Sequence, residues 1–92
     1  MHPNLKTLLV DDEPLALEYL STLLKQDGGV EVIGTCRNGR EALQRLRQGG
    51  VDLVLLDVQM PGMTGLEVVA QLQADDMPLL VFATAFDKYA LD

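Results

Sequence analysis

The sequence predicts an α/β fold, a doubly wound parallel sheet with strands in the order 2-1-3-4. Three observations carry this. Short apolar runs alternate along the chain with segments of helical periodicity. The connections between them are short, as in parallel sheets with right-handed crossovers. One apolar run, Val51 to Leu56, is broken only by Asp52 and ends on a lone carboxylate, Asp57, before a turn rich in Pro and Gly. Ligands of open α/β sheets bind outside the carboxyl ends of the strands, and Asp57 stands at such an end. In this order the first and third strands are neighbours, so Asp11 and Asp12 are expected beside Asp57.

Thr7 to Val10 reads as a buried strand that stops at Asp11-Asp12-Glu13. Pro14 suits the first turn of a helix, where its missing N–H costs nothing. The acids before it favour the positive end of the helix dipole. Leu15, Tyr19 and Leu23, with Leu20 and Leu24, recur at helical spacing, which predicts an amphipathic helix from Pro14 to Gln26, ended by Gly28-Gly29. Val30 to Cys36 alternates as an outer strand would, and Asn38-Gly39 reads as a turn. Arg40 to Gln48 carries Ala42, Leu43 and Leu46 at helical spacing and closes on Gly49-Gly50. The run to Asp57 reads as a strand buried on both faces. Leu66, Val69 and Leu72 mark a third helix from Gly65 to about Ala74, broken by Asp75-Asp76. Pro78 to Thr84 predicts a fourth strand, and Asp87 to Asp92 the start of another helix.

At 92 residues the chain is read as one domain, residues 1–92, with a modest core. Its net charge of −7 argues against direct contact with nucleic acid or anionic membranes and suits a cation or a basic partner. A single cysteine, Cys36, excludes an internal disulfide and fits a reducing compartment. The N-terminus does not read as a signal peptide and no run is long enough to span a membrane. A cytoplasmic location is expected.

Asp11-Asp12-Glu13 alone is most simply a solvated acidic start to the first helix. Three carboxylates converging at one sheet edge repel one another, and a divalent cation would neutralise them; with Asp57 on the adjacent strand, the cation site is the better reading. Few, hard, partly hydrated oxygen ligands suit Mg²⁺, which shares its shell with a phosphate. Glu13 is the weakest member of the set. Thr84 ends the fourth strand, where strand propensity alone would explain it. Beside a carboxylate–metal site its hydroxyl could serve a phosphoryl oxygen, and small neighbours, Ala83 and Ala85, leave the crevice open. Pro61 stiffens the loop after Asp57, and Gly62 and Gly65 supply turn geometry. Cys36 reads as a small hydrophobe at a strand end, Tyr89 as packing or partner surface, and His2 has no assigned role.

Asp11-Asp12-Glu13-Pro14, the segment LLDVQMPGMTGLE from Leu55 to Glu67, and the strand ending in Thr84 resemble a bacterial two-component response-regulator receiver domain. The tail TAFDKYAL, from Thr84 to Leu91, resembles the receivers of LytTR-type transcription regulators. The resemblance implies a flavodoxin-like fold and a phosphoprotein switch. Asp57 would accept a phosphoryl group from a histidine kinase. Asp12, Asp57 and the backbone carbonyl of Gln59 would hold Mg²⁺, with Asp11 in the acidic pocket binding largely through water. Thr84 would bind the phosphoryl group and report its presence to a transcription-regulating output. Receivers continue to a fifth strand with an essential Lys, an aromatic switch residue and a fifth helix. The expectation is therefore a receiver truncated at its C-terminus and lacking the fifth strand and fifth helix. Such a chain would leave Pro78 to Thr84 as a sheet edge. It would then associate as a homodimer, or as an oligomer that exchanges Asp87 to Asp92.

Three other readings compete. A phosphatase with a strand-end Asp nucleophile usually carries a second Asp two residues on, where this chain has Gln59. A dinucleotide-binding fold needs a Gly-rich turn after the first strand, and none follows. A phosphorylation-incompetent dimerisation or interaction module stays open as the alternative to the switch. In neither the switch nor the module is the chain a multiple-turnover enzyme.

Overall fold

The computed structural model describes residues 4–26 and 28–82. The elements run β1 (Leu5–Val10), α1 (Pro14–Lys25), β2 (Val30–Cys36), α2 (Gly39–Arg47), β3 (Leu53–Leu56), α3 (Gly65–Gln71), a 3₁₀ turn (Ala74–Asp76) and β4 (Leu79–Phe82). The strands form one parallel sheet in the order β2-β1-β3-β4, as expected from the alternation. β2 carries a bulge: Thr7 pairs with Val32 and Leu8 with Gly34, which leaves Ile33 over.

Local chemistry moves several boundaries. Asn38 is the N-cap of α2, not a residue of a free turn. Its side-chain oxygen accepts from the Glu41 backbone N–H at 2.9 Å, so the helix begins at Gly39 instead of Arg40. Thr64 and Glu67 form a reciprocal capping box that starts α3. That helix ends at Gln71, short of Ala74, and a 3₁₀ turn takes up Ala74–Asp76. Of the predicted strand from Pro78 to Thr84, Leu79–Phe82 forms β4, and Pro78 precedes it outside the strand. Thr84, Ala83, Ala85 and the helical start from Asp87 to Asp92 lie outside the described residues.

The two faces of the sheet are packed unequally. On one face Leu8, Val10, Val54 and Leu56 join Ala42, Leu43 and Leu46 of α2, and Val68 and Leu72 beside them, in a single sealed cluster. A buried leucine or valine of this kind contributes about 1.5–3 kcal/mol. On the other face α1 lies across β1 and β2, with Leu17 its one fully buried residue.

Three sequence expectations fail here. Leu15, Tyr19 and Leu23 are exposed, Leu15 at 76%, because Leu17, Leu20 and Leu24 take the inward side of α1. Likewise Leu66 is exposed and Val68, one residue off the expected stripe, is fully buried. β3 is also not sealed on both faces among the described residues: Val54 and Leu56 are buried, whereas Leu53 and Leu55 are half-buried. No helix among the described residues is long and apolar enough to cross a membrane.

Candidate functional site

The register of β1 and β3 builds the site. Val10 pairs with Leu56, so the residues that follow, Asp11 and Asp57, leave the sheet side by side. The ladder runs one step further on both sides of β1. Asp11 N–H donates to the Cys36 carbonyl at 3.0 Å, and Asp57 N–H donates to the Val10 carbonyl at 3.0 Å. Both backbones are therefore fixed by sheet hydrogen bonds before their side chains are considered. Asp11 is 5% exposed and Asp57 1%.

Asp11, Asp12 and Asp57 each bring one carboxylate oxygen to within 4.8 Å of the others. Short main-chain contacts orient two of them. Asp11 Oδ1 accepts from Glu13 N–H at 2.9 Å, and Asp57 Oδ1 accepts from Gln59 N–H at 3.1 Å. Asp12 Oδ1 is buried and accepts no hydrogen bond among the described residues. Burying carboxylate charge without compensation is costly, and a cluster of hard oxygens is what a hydrated Mg²⁺ takes. The residues present fit that ion.

The loop after Asp57 is anchored at both ends. Met60 turns into the core and is 5% exposed. Gly62 has φ +85°, a left-handed conformation that glycine adopts freely. Gly65 N–H donates to the Val58 carbonyl at 2.9 Å, which draws the start of α3 under the loop. Gly65 is not a turn glycine, as its sequence context suggests; it is the first helical residue, and its side-chain position is filled by backbone. A Cβ there would stand 2.5 Å from the Asp57 carbonyl oxygen and 3.1 Å from the Val58 Cα.

Sequence reasoning brought Asp11, Asp12 and Asp57 together correctly. It missed Met60, whose apolar character two residues before a Gly-containing turn was the available signal. Glu13 is exposed and stands outside the carboxylate cluster. Cys36 is buried, and burial, followed by the nearby Glu41 carboxylate, pushes its thiol up from 9.0 to about 11. That thiol is protonated and inert at neutral pH.

The profile of the response regulator receiver domain matches residues 7–91. The chain belongs to that family. Among curated relatives, the transcriptional regulatory protein BtsR of Salmonella typhi is 45% identical over 87 residues, covering 95% of this chain and 36% of that protein. An uncharacterized response regulatory protein of Vibrio cholerae serotype O1 is 46% identical over 87 residues, covering 95% of the chain and 37% of that protein. The chain thus spans little more than a third of the length of these relatives.

Among solved structures, the signal receiver domain of the putative response regulator NarL from Mycobacterium tuberculosis superposes with a TM-score of 0.80 at 31% identity, covering 96% of this chain and 72% of that one. Response regulator TrrA of Thermotoga maritima, solved in complex with Mg²⁺–BeF, matches with a TM-score of 0.75 at 36% identity, covering 100% of this chain and 76% of that one. Receiver domains are signalling switches that bind Mg²⁺ at an acidic pocket.

Proposed function

We propose that this receiver domain is the phospho-accepting switch of a two-component response regulator, with Asp57 as the acceptor. One observation carries the reading: a buried strand-end carboxylate, oriented by a backbone N–H, within 4.8 Å of two further carboxylates. In the reaction a carboxylate oxygen of Asp57 bonds to the phosphorus of a phosphohistidine on a histidine kinase. The P–N bond breaks, and the imidazole nitrogen leaves with the electron pair and is protonated by solvent. The product is an acyl phosphate on Asp57.

Asp12 and Asp57, with the backbone carbonyl of Gln59, would hold Mg²⁺, and Asp11 would reach it largely through water. Bound there, Mg²⁺ supplies positive charge against the transferring oxygens. The Gln59 N–H fixes the rotation of the Asp57 carboxylate, and the low exposure of Asp57 limits competing water. Thr84 would bind the phosphoryl group and couple it to the output. Support for this assignment is the matched family and the Mg²⁺–BeF complex of TrrA.

The partner would be a histidine kinase, the location cytoplasmic and the output regulation of transcription, the last in line with BtsR being a transcriptional regulatory protein. The net charge of −7 argues that this segment does not itself hold nucleic acid or a membrane surface. Two copies would pair along β4, where Leu79, Val81 and Phe82 are exposed on the outermost strand of the described sheet. Sedimentation at micromolar concentration tests the pairing; a monomer rejects it. For the switch itself, incubation with acetyl phosphate and Mg²⁺, followed by peptide mapping, should find the phosphoryl group on Asp57 alone. Label elsewhere, or none with full-length protein, rejects the assignment.

A further inference from the structure

We propose that Gly65 is a positioning residue for Asp57: its bare Cα lets the first turn of α3 brace the Asp57–Val58 backbone. The inference rests on the reading of Asp57 as acceptor and cation ligand and adds a residue outside that set. Gly65 is buried, and its φ is not in the left-handed region, so conformational freedom does not explain a glycine here. The space does. A methyl group would lie 2.5 Å from the Asp57 carbonyl oxygen, 3.1 Å from the Val58 Cα and 3.2 Å from the Asp57 carbonyl carbon. All three are backbone atoms, so no side chain can swing aside.

The same backbone is held from the other direction. Asp57 N–H is fixed to the Val10 carbonyl at 3.0 Å, and the Val58 carbonyl accepts from Gly65 N–H at 2.9 Å. The peptide between Asp57 and Val58 is thus tied to β1 at one end and to α3 at the other. The Thr64–Glu67 capping box fixes where α3 begins. Displacing this peptide shifts the Asp57 carboxylate, and with it the Gln59 N–H that it accepts from, relative to Asp11 and Asp12. At Gly39 an added Cβ would also be crowded, at 2.9 Å, but only by side-chain atoms of Met63 and Val68. At Gly34 an added Cβ meets only Leu8 Cδ1, at 3.6 Å, an ordinary contact.

The test compares Gly65→Ala with Gly34→Ala and with Leu46→Val, which thins the core away from the loop. Two quantities are read on each purified protein: the amide proton resonance of Gln59 in metal-free buffer, and the Kd for Mg²⁺ by titration. Gly65→Ala should move the Gln59 resonance and weaken Mg²⁺ roughly 10- to 100-fold, the usual cost of losing support behind a metal ligand. Gly34→Ala and Leu46→Val should leave both unchanged, although Leu46→Val lowers the melting temperature. A folded Gly65→Ala with wild-type Gln59 resonance and Kd overturns the proposal and leaves the Asp57 reading intact. Wild-type protein that binds no Mg²⁺ overturns the cation reading instead, and the Gln59 resonance still decides on Gly65. Where Gly65→Ala does not fold, Thr64→Ala loosens the same turn without adding an atom; an unmoved Gln59 resonance in that variant overturns the proposal.

Discussion

Asp52 and Asp57 are the same residue type at opposite ends of one strand, and they do different work. Asp52, just before β3, is exposed. Its Oδ2 accepts from the Lys6 N–H at 2.9 Å, its own N–H donates to the Lys6 carbonyl at 2.8 Å, and its carbonyl accepts from Leu79 N–H at 3.1 Å. It stitches β1, β3 and β4 together at their amino ends. Asp57, just after β3, is buried among two other carboxylates. One carboxylate serves the main chain of its neighbours; the other is held in a cluster whose charge is unfavourable without a cation. Position along the strand decides the role, because the amino edge of a parallel sheet offers backbone partners and the carboxyl edge gathers ligands.

The largest contrast should come from neutralising each acid. Asp57→Asn keeps the shape and removes the anionic nucleophile, so phosphoryl labelling should vanish, while Asp52→Asn should label as the wild type does. Equal labelling of wild type and Asp57→Asn would dissolve the distinction. In metal-free buffer Asp57→Asn should also raise the melting temperature, since one of three mutually repelling charges is gone; the gain should be several kcal/mol, because each like-charge pair roughly 5 Å apart costs about 3 kcal/mol at an effective dielectric of about 20.

Next in size is the cation itself. Asp12→Asn should weaken Mg²⁺ at least about tenfold, as expected for removing one ligand charge from so small a set. Isothermal titration checks this, with Asp52→Asn as the unchanged partner in the comparison. Asp52→Ala should cost about 0.5–1.5 kcal/mol, one net hydrogen bond, and leave Mg²⁺ affinity alone. Urea denaturation measures the first part; a Kd shift in this variant would show that the two ends of β3 are coupled.

The smallest effect concerns Cys36. Its thiol stays protonated to about 11, against 9.0 ordinarily, so the stability it contributes is complete below about 9 and is lost as pH rises through about 11. Alkylation by iodoacetamide near neutral pH should accordingly be far slower than for free cysteine. Rapid modification of the folded protein would contradict its burial.

Much of this was legible in the residues. The strand order follows from alternation and short connections, and the convergence of Asp11, Asp12 and Asp57 follows from the strand order. What escaped depends on three-dimensional detail. α1 carries leucines on more than one side, so Leu15, Tyr19 and Leu23 make as good a stripe as Leu17, Leu20 and Leu24; only the lie of the helix across β1 and β2 separates them. Asp52 reads as a blemish in an apolar run until the register shows Lys6 opposite its oxygen. Gly65 reads as a turn residue until a Cβ is placed on it.

The strand order has a consequence for synthesis. β1 is made first yet lies between β2 and β3, pairing Leu5 with Val30 on one side and Thr7 with Leu53 on the other. These closures join distant parts of the chain, and their entropic cost precedes the contacts that offset it. As the chain leaves the ribosome, Asp11 and Asp12 emerge long before Asp57, and the acidic pocket comes into being only when β3 docks beside β1. Cation binding by a nascent chain of increasing length would therefore time that docking event.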